Sequence, residues 1–207
     1  MSQELSRHPG LNLGAAHGGD HDAAESLLCG FWMFLMSDAI LFGLAFASYG
    51  VLRSGVAEAP GPEELYEIGS VFVQTMLLLA SSFTFGMASL ALKYRHATIR
   101  LLGWLVLTLL LGIGFLGLEL NDFNTMIESG GAPSHSGFLS AFFGLVPLHG
   151  LHVTCGCIWM LALFGQMLRY GIDRGVKLGL MRLALFWHFL DIIWIGIFTV
   201  VYLAGLA

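Results

Sequence analysis

Leu185-Phe186-Trp187-His188-Phe189-Leu190-Asp191-Ile192-Ile193-Trp194 is an apolar run broken twice, by a histidine and by an aspartate. It belongs to a longer hydrophobic stretch over 180–206, enough to cross a bilayer, so both ionisable groups would lie inside hydrocarbon. A charge at the centre of a membrane helix costs about 2.5 to 3.5 kcal/mol on insertion scales. His188 and Asp191 therefore require partners, water or a neighbouring subunit, and which of these they meet decides what the helix is for.

The rest of the chain is equally apolar. Of its 207 residues 57% are hydrophobic and only 11% charged, with a mean hydropathy of +0.79; soluble domains carry about 25% charged residues. Crossing about 30 Å of hydrocarbon takes roughly 20 residues of helix. Five stretches qualify, near 27–52, 70–92, 99–120, 137–168 and 180–206. The expected fold is an all-α integral membrane protein, a bundle of five transmembrane helices over 27–207 preceded by a polar tail over 1–26, with almost no room for a soluble domain.

Alternate threading sorts the charges. One side receives the tail and the 93–100 and 169–182 connections, with Arg7, Lys93, Arg95, Arg100, Arg169, Arg174, Lys177 and Arg182; the other receives only Arg53. Basic residues mark the cytoplasmic side, so the N-terminus is expected to be cytoplasmic and the C-terminus external. Glu58, Glu63, Glu64, Glu67, Asp122 and Glu128 fall on the external side.

The tail holds His8, His17, His21, Asp20 and Asp22, but lacks the basic start and apolar core of a cleavable signal. Histidines scattered among Gly and Ala read as a solvated arm rather than a metal site. Cys155 and Cys157 lie two apart, about 200° around a helix, and cannot close on one metal there. With Cys29 they read as buried apolar thiols.

Ala59-Pro60-Gly61-Pro62 and Gly130-Gly131-Ala132-Pro133 break the two external connections, and Ser134 or Ser136 is a candidate cap for helix four. The turn at 93–100 is short enough to make helices two and three antiparallel neighbours. Gly103, Gly112 and Gly114 on helix three, and Gly137, Ala141 and Gly144 on helix four, form stripes of small residues suited to packing. Helix five carries Phe186, Trp187, Phe189, Trp194, Phe198 and Tyr202 around much of its circumference, which suits contact with protein and lipid together.

A polar layer crosses these helices. Asp38 lies about 17 Å into helix one, and Asp191 reaches a similar depth from the same side. His188 is one turn shallower, His149 and His152 lie about 18 to 23 Å from the external start of helix four, and Glu119 shares the Gly112 face of helix three. Three readings compete. His149 with His152 and His188 with Asp191 are i,i+3 pairs that two helices could bring to one metal, yet neither has the Glu-x-x-His form of di-iron bundles. Nor can two histidines one turn apart reach opposite faces of one haem. Intramembrane Asp, Glu and His also form proton relays, although no helix is broken by proline beside an acidic residue here, Pro147 included. The third reading is structural: hydrogen bonds between helices, or contacts to a lipid headgroup or a second subunit, each bond contributing about 0.6 kcal/mol. On physical grounds it leads.

The fragments also follow an order. Helix one has Gly30-Phe31-Trp32-Met33-Phe34-Leu35-Met36-Ser37-Asp38, helix two Leu77-Leu78-Leu79-Ala80-Ser81-Ser82, and helix three Gly114-Phe115-Leu116-Gly117-Leu118-Glu119. Next come Ser136-Gly137-Phe138-Leu139-Ser140-Ala141-Phe142-Phe143, His149-Gly150-Leu151-His152-Val153 and Trp187-His188-Phe189-Leu190-Asp191-Ile192-Ile193-Trp194. In this order the chain resembles subunit III of the haem-copper respiratory oxidases over most of 30–205, and most closely the five-helix form of the cytochrome o-type ubiquinol oxidases.

The resemblance implies a non-catalytic subunit of a bacterial cytoplasmic (inner) membrane complex that reduces oxygen with quinol electrons and pumps protons. It implies no cofactor in this chain, haems and copper in subunit I, subunits I, II and a small IV as partners, and phospholipid held between helices. Subunit III would support turnover and proton uptake. Asp38 falls where mitochondrial relatives carry a buried, carbodiimide-reactive glutamate, and the shorter side chain departs from that pattern. Two N-terminal helices of the seven-helix relatives have no counterpart. Subunit III of a cytochrome c oxidase shares the motifs, and a stand-alone proton channel is the alternative of another class. The expected polar layer comprises Asp38, Glu119, His149, His152, His188 and Asp191.

Overall fold

A computed structural model of the chain describes residues 17–53, 68–94, 98–128 and 137–204. Five long helices fill them: α1 (His17–Leu52), α2 (Ile68–Lys93), α3 (Thr98–Glu128), α4 (Gly137–Tyr170) and α5 (Arg174–Ile197), the last continued by a π-helical turn over Phe198–Leu203. Each is long and apolar enough to cross a membrane, and no strand occurs among the described residues. Large apolar side chains such as Ile40, Leu44, Leu110, Leu168 and Ile192 stand exposed on the bundle's outer faces. A soluble protein could not carry so much exposed apolar surface without aggregating, whereas a bilayer covers it.

Three helix ends fall well outside the expected limits, the others within three residues of them. α1 begins at His17, so the last ten residues of the polar tail are helical. α3 continues eight residues beyond 120, about 12 Å, because Asn121-Asp122, which resembles a loop signal, sits on a helix whose inner side still packs. Met126 is buried there, and Phe123 lies against Phe143 with ring centroids 5.7 Å apart. α5 begins at Arg174 rather than 180, since Asp173 caps it by accepting the backbone N–H of Val176 at 2.8 Å. Gly171, at φ 75°, closes α4 just before it, its N–H reaching the Met167 carbonyl at 3.0 Å. The expected Ser134 and Ser136 caps, the Pro-Gly breaks, and the tail histidine and aspartate side chains lie outside what is described.

Contacts between helix ends show the alternate threading. Tyr49 and Arg53, at the end of α1, donate to the carbonyls of Val201 and Ala204 at the end of α5, at 3.4 and 3.3 Å. Asp122 of α3 meets Ser70 near the start of α2, and Phe123 meets the start of α4. Lys93, Arg100, Arg169, Arg174, Lys177 and Arg182 therefore collect at the other end of the bundle, hereafter the basic end. α2 and α3 make the most extensive helix pairing, as their short connection requires. α5 touches α1, α2 and α4, while α1 rests on α4 and α5.

The core is aromatic. The Trp187 indole enters between α3 and α4 where Gly112 and Gly156 leave room: a Cβ there would stand 2.9 and 3.0 Å from the ring. Gly112 is the one member of the expected α3 stripe in such close approach, for Gly103 has nothing near it and Gly114 stands only in ordinary contact with Leu77 of α2, at 3.8 Å. On α4 the close approaches fall at Gly150 and Gly156; of the expected stripe, Ala141 packs against the core and Gly144 has nothing near its missing Cβ. The six aromatics of helix five also turn inward more than expected. Phe186, Trp187, Trp194 and Tyr202 are buried, Phe189 and Phe198 half-buried, and Ile192, Ile195 and Val200 form the outer face. Of the cysteines only Cys157 is buried; Cys29 and Cys155 lie on the outer surface.

Candidate functional site

Helix two holds the partners of the opening motif. His188 Nδ1 lies 2.8 Å from Ser82 Oγ of α2 and 3.7 Å from Asp191 Oδ2, one turn along its own helix. The neighbouring tryptophans make the same crossing: Trp187 Nε1 donates to Ser81 Oγ at 3.0 Å, and Trp194 Nε1 to Thr75 Oγ1 at 3.1 Å. Three side chains of α5 are thus tied to three hydroxyls of α2 over about two turns. The hydroxyls can serve as acceptors because their own protons go to α2 carbonyls, Ser81 to Leu78 at 2.7 Å and Thr75 to Val71 at 2.8 Å.

The α4 histidines face different neighbours. His149, fully buried, donates from Nε2 to the Leu190 carbonyl of α5 at 3.2 Å. Its ring stands edge-on to Phe115 at 5.7 Å and beside Trp194 at 5.1 Å. His152 donates from Nδ1 to the Leu148 carbonyl at 2.7 Å, which turns Nε2 toward Asp38 Oδ2 of α1, 3.5 Å away. Since a carbonyl only accepts, Nδ1 carries the hydrogen. Nε2 then either receives a proton from the Asp38 carboxyl or, if itself protonated, faces a carboxylate. Phe42 closes over this pair with its ring 5.1 Å from the imidazole.

Glu119 stands apart from the other five. Only 3% exposed, it sets its carboxylate against the Gly150 backbone, where a Cβ would lie 2.5 Å from Oε2. Asp38 Oδ2, Glu119 Oε1, His149 Nδ1 and both Asp191 oxygens have no hydrogen-bond partner among the described residues, so His152 stands near Asp38 as a charge-type contact rather than a formed hydrogen bond. Asp38 with His152 and His188 with Asp191 are brought together, but the six groups do not converge. Among the described residues no three His, Cys, Asp or Glu side chains gather where one metal ion could be held. The two α4 histidines hydrogen-bond in different directions, not toward a common haem. This arrangement can fix helix positions and hold individual protons. Ser82 Oγ is within hydrogen-bond reach of His188 Nδ1, but Asp191 faces that same ring nitrogen rather than the opposite one, so the three do not form a nucleophile–base–orienter chain.

Several polar contacts were not expected. Asp122 accepts from Ser70 Oγ at 2.9 and 2.8 Å and from Gln74 Nε2 at 2.7 Å, joining α3 to α2. Thr84 and Thr108 join the same two helices through hydroxyls 2.8 Å apart. A signal for them exists: at about 100° per residue Ser70, Gln74, Ser81 and Thr84 fall within about 80° on α2, and Thr75 and Ser82 form a second stripe centred about 130° away. A helix with two polar stripes inside a membrane has two protein neighbours to satisfy.

Comparison with known proteins gives a consistent result. Residues 11–206 match the family model described as cytochrome c oxidase subunit III. The chain is 45% identical over 193 residues to cytochrome bo(3) ubiquinol oxidase subunit 3 of Pseudomonas aeruginosa, covering 93% of this chain and 92% of that one. It is 41% identical over 179 residues to quinol oxidase subunit 3 of Bacillus subtilis, covering 86% and 87%. A cytochrome c oxidase subunit 3 from Bacillus sp. strain PS3 is 40% identical over 178 residues, covering 86% and 85%.

Proposed function

Because the chain belongs to the cytochrome c oxidase subunit III family, we propose that it is the non-catalytic subunit III of a quinol-oxidising, proton-pumping haem-copper oxidase in a bacterial cytoplasmic membrane. The observation that carries this is the near full-length similarity to ubiquinol oxidase subunit 3. Haems and copper then reside in subunit I, where oxygen is reduced, and this chain packs beside it with subunits II and IV and with phospholipid. Residues 27–207 form its membrane domain and 1–26 its cytoplasmic tail. The basic end of the bundle faces the cytoplasm, because Lys and Arg cluster on that side of the membrane.

In this role the polar layer is mechanical. Ser82 with His188 fixes α5 on α2, Asp191 standing beside His188 on α5; His149 fixes α4 on α5, and Asp38 with His152 fixes α1 on α4, while Glu119 fills the close approach of α3 to α4 at Gly150. Such bonds contribute about 0.6 kcal/mol each. Their value is direction, since they set helix rotation where apolar packing alone tolerates slippage. A subunit with fixed rotations presents a constant face to subunit I and can support steady proton uptake there.

Affinity purification of the tagged chain from its native membrane tests the proposal. The expected product carries haem and copper absorbance and oxidises ubiquinol with oxygen consumption. Material that oxidises reduced cytochrome c and leaves ubiquinol untouched would favour the second reading, the one supported by the strain PS3 relative. Material without haem would overturn both, and proton flux through the isolated chain in vesicles would then point to a channel.

A further inference from the structure

Glu119 and Asp122 stand one turn apart on α3 and meet opposite surroundings. Asp122 is half-buried, and both of its oxygens accept hydrogen bonds from α2, through Ser70 and Gln74, as those of an ionised carboxylate do. Glu119 is almost fully buried against Gly150 of α4, and its Oε1 has no partner among the described residues. We propose that Glu119 is a proton-binding site: it holds a proton as a neutral carboxylic acid and exchanges it through Asp122 with the medium at the end of the bundle opposite the basic one. That this medium is the external one rests on the orientation proposed above; the site itself does not, and it stands whichever oxidase the chain serves.

The neighbours offer the carboxyl no positive charge. From α4 it meets the Gly150 backbone, and Tyr202, in the π-helical turn that ends α5, lies within electrostatic reach of Glu119, of Asp122 and of Tyr49 on α1. Arg53, the one Lys or Arg among the described residues at this end, is engaged by the Ala204 carbonyl. A buried carboxylate with neither cation nor donors is far costlier than the neutral acid. Oε1 meets neither donor nor acceptor, so it is the carbonyl oxygen of that acid, and Oε2, set against Gly150, carries the hydrogen. Asp38 and Asp191 differ, for each stands beside a histidine able to take its proton.

The proton has one short way out. Residues three apart on a helix stand about 5 to 6 Å from each other at Cβ, a gap that one water closes. In the exchange the Oε2–H bond of Glu119 breaks and an O–H bond forms on Asp122, which releases the proton to the aqueous side and is again a carboxylate. Toward the basic end the residues one turn back on α3 are Phe115 and Leu116, which carry no proton. The site is therefore open to one side only.

Infrared spectra of the intact complex in native-lipid discs test both parts. The wild type is expected to show the carbonyl stretch of a carboxylic acid that accepts no hydrogen bond, and Glu119→Gln to abolish it. Glu119→Asp keeps an acid and should shift the band, which tests the assignment even if the glutamine variant does not assemble. In heavy water the band moves as deuterium replaces the proton. Asp122→Asn should leave the starting band in place and slow this replacement about a hundredfold, the lower end of what a positioned proton-transferring group contributes. A spectrum that neither Glu119 variant alters means an ionised Glu119 and overturns the proposal. An unchanged exchange rate in Asp122→Asn overturns the route through Asp122. Haem absorbance of the same samples reports separately on the proposed function.

Discussion

Helices α1 and α2 are built from similarly apolar sequence and are held in opposite ways. Within their most hydrophobic windows 11% of α1 is buried against 39% of α2. α2 is tied on one side to α3 through Asp122 and Thr108 and on the other to α5 through Trp187, His188 and Trp194. α1 turns Met33, Phe34, Ile40, Leu44 and Val51 outward, and it is fastened at mid-depth by Asp38 and at its end by Tyr49 and Arg53. Hydropathy gives the two helices nearly the same score because it measures exclusion from water. What distinguishes them is where hydroxyl and amide groups lie around the helix.

The difference should be largest for tryptophan. Trp187→Ala empties the slot between Gly112 and Gly156 and frees Ser81, with an expected loss of about 3 to 5 kcal/mol. Trp32→Ala on α1, where the side chain is half exposed, should stay within about 0.5 kcal/mol. Detergent-titrated unfolding of the purified complex, followed by fluorescence, measures both. Equal losses would mean that α1 is packed as tightly as α2 and the contrast is mistaken.

A smaller effect probes the inner seam. Gly150→Ala drives a methyl into the Glu119 carboxylate and should cost about 1 to 3 kcal/mol by overpacking. Combining it with Glu119→Ala removes the obstacle, so the double variant should recover most of the loss. Simple addition of the two single effects would show that the carboxylate is not what holds position 150 to glycine.

The spans were legible because a helix that crosses hydrocarbon must be continuously apolar over about 20 residues. Their ends were less so: Asp122 looks like a loop residue until Ser70 and Gln74 are known to receive it, and Arg174 and Lys177 conceal the cap at Asp173. For the polar layer, the sequence marked the residues and the i,i+3 pairings within a helix. It could not say which helices they join. Thr75 donates to Val71, Ser37 to Met33 and Ser48 to Leu44, all back to their own helix. A membrane hydroxyl can therefore satisfy its proton locally, and only its lone pairs show whether a neighbour is present. Thr75 receives Trp194, whereas Ser37 and Ser48, among the described residues, bond only to their own helix.

The smallest effects separate the two modes of attachment most finely. Asp38→Asn weakens the pairing with His152, and Ser82→Ala removes the partner of His188; each should cost about 0.6 kcal/mol, roughly a threefold shift in a local opening equilibrium. Haem content should remain intact in both, with the active lifetime of the oxidase shortened by Asp38→Asn. Hydrogen exchange shows where the loss falls. Asp38→Asn should raise exchange along α1, because among the described residues no other polar contact ties that helix to a neighbour at this depth, where only the packing of Leu35 and Phe42 remains. Ser82→Ala should raise it weakly and on both α2 and α5, because Ser81 and Thr75 still carry Trp187 and Trp194 on either side. If Ser82→Ala instead loosens α5 as much as Asp38→Asn loosens α1, the three bonds do not act as a ladder. His188 would then be the fastening of helix five, with the two tryptophans contributing only their volume.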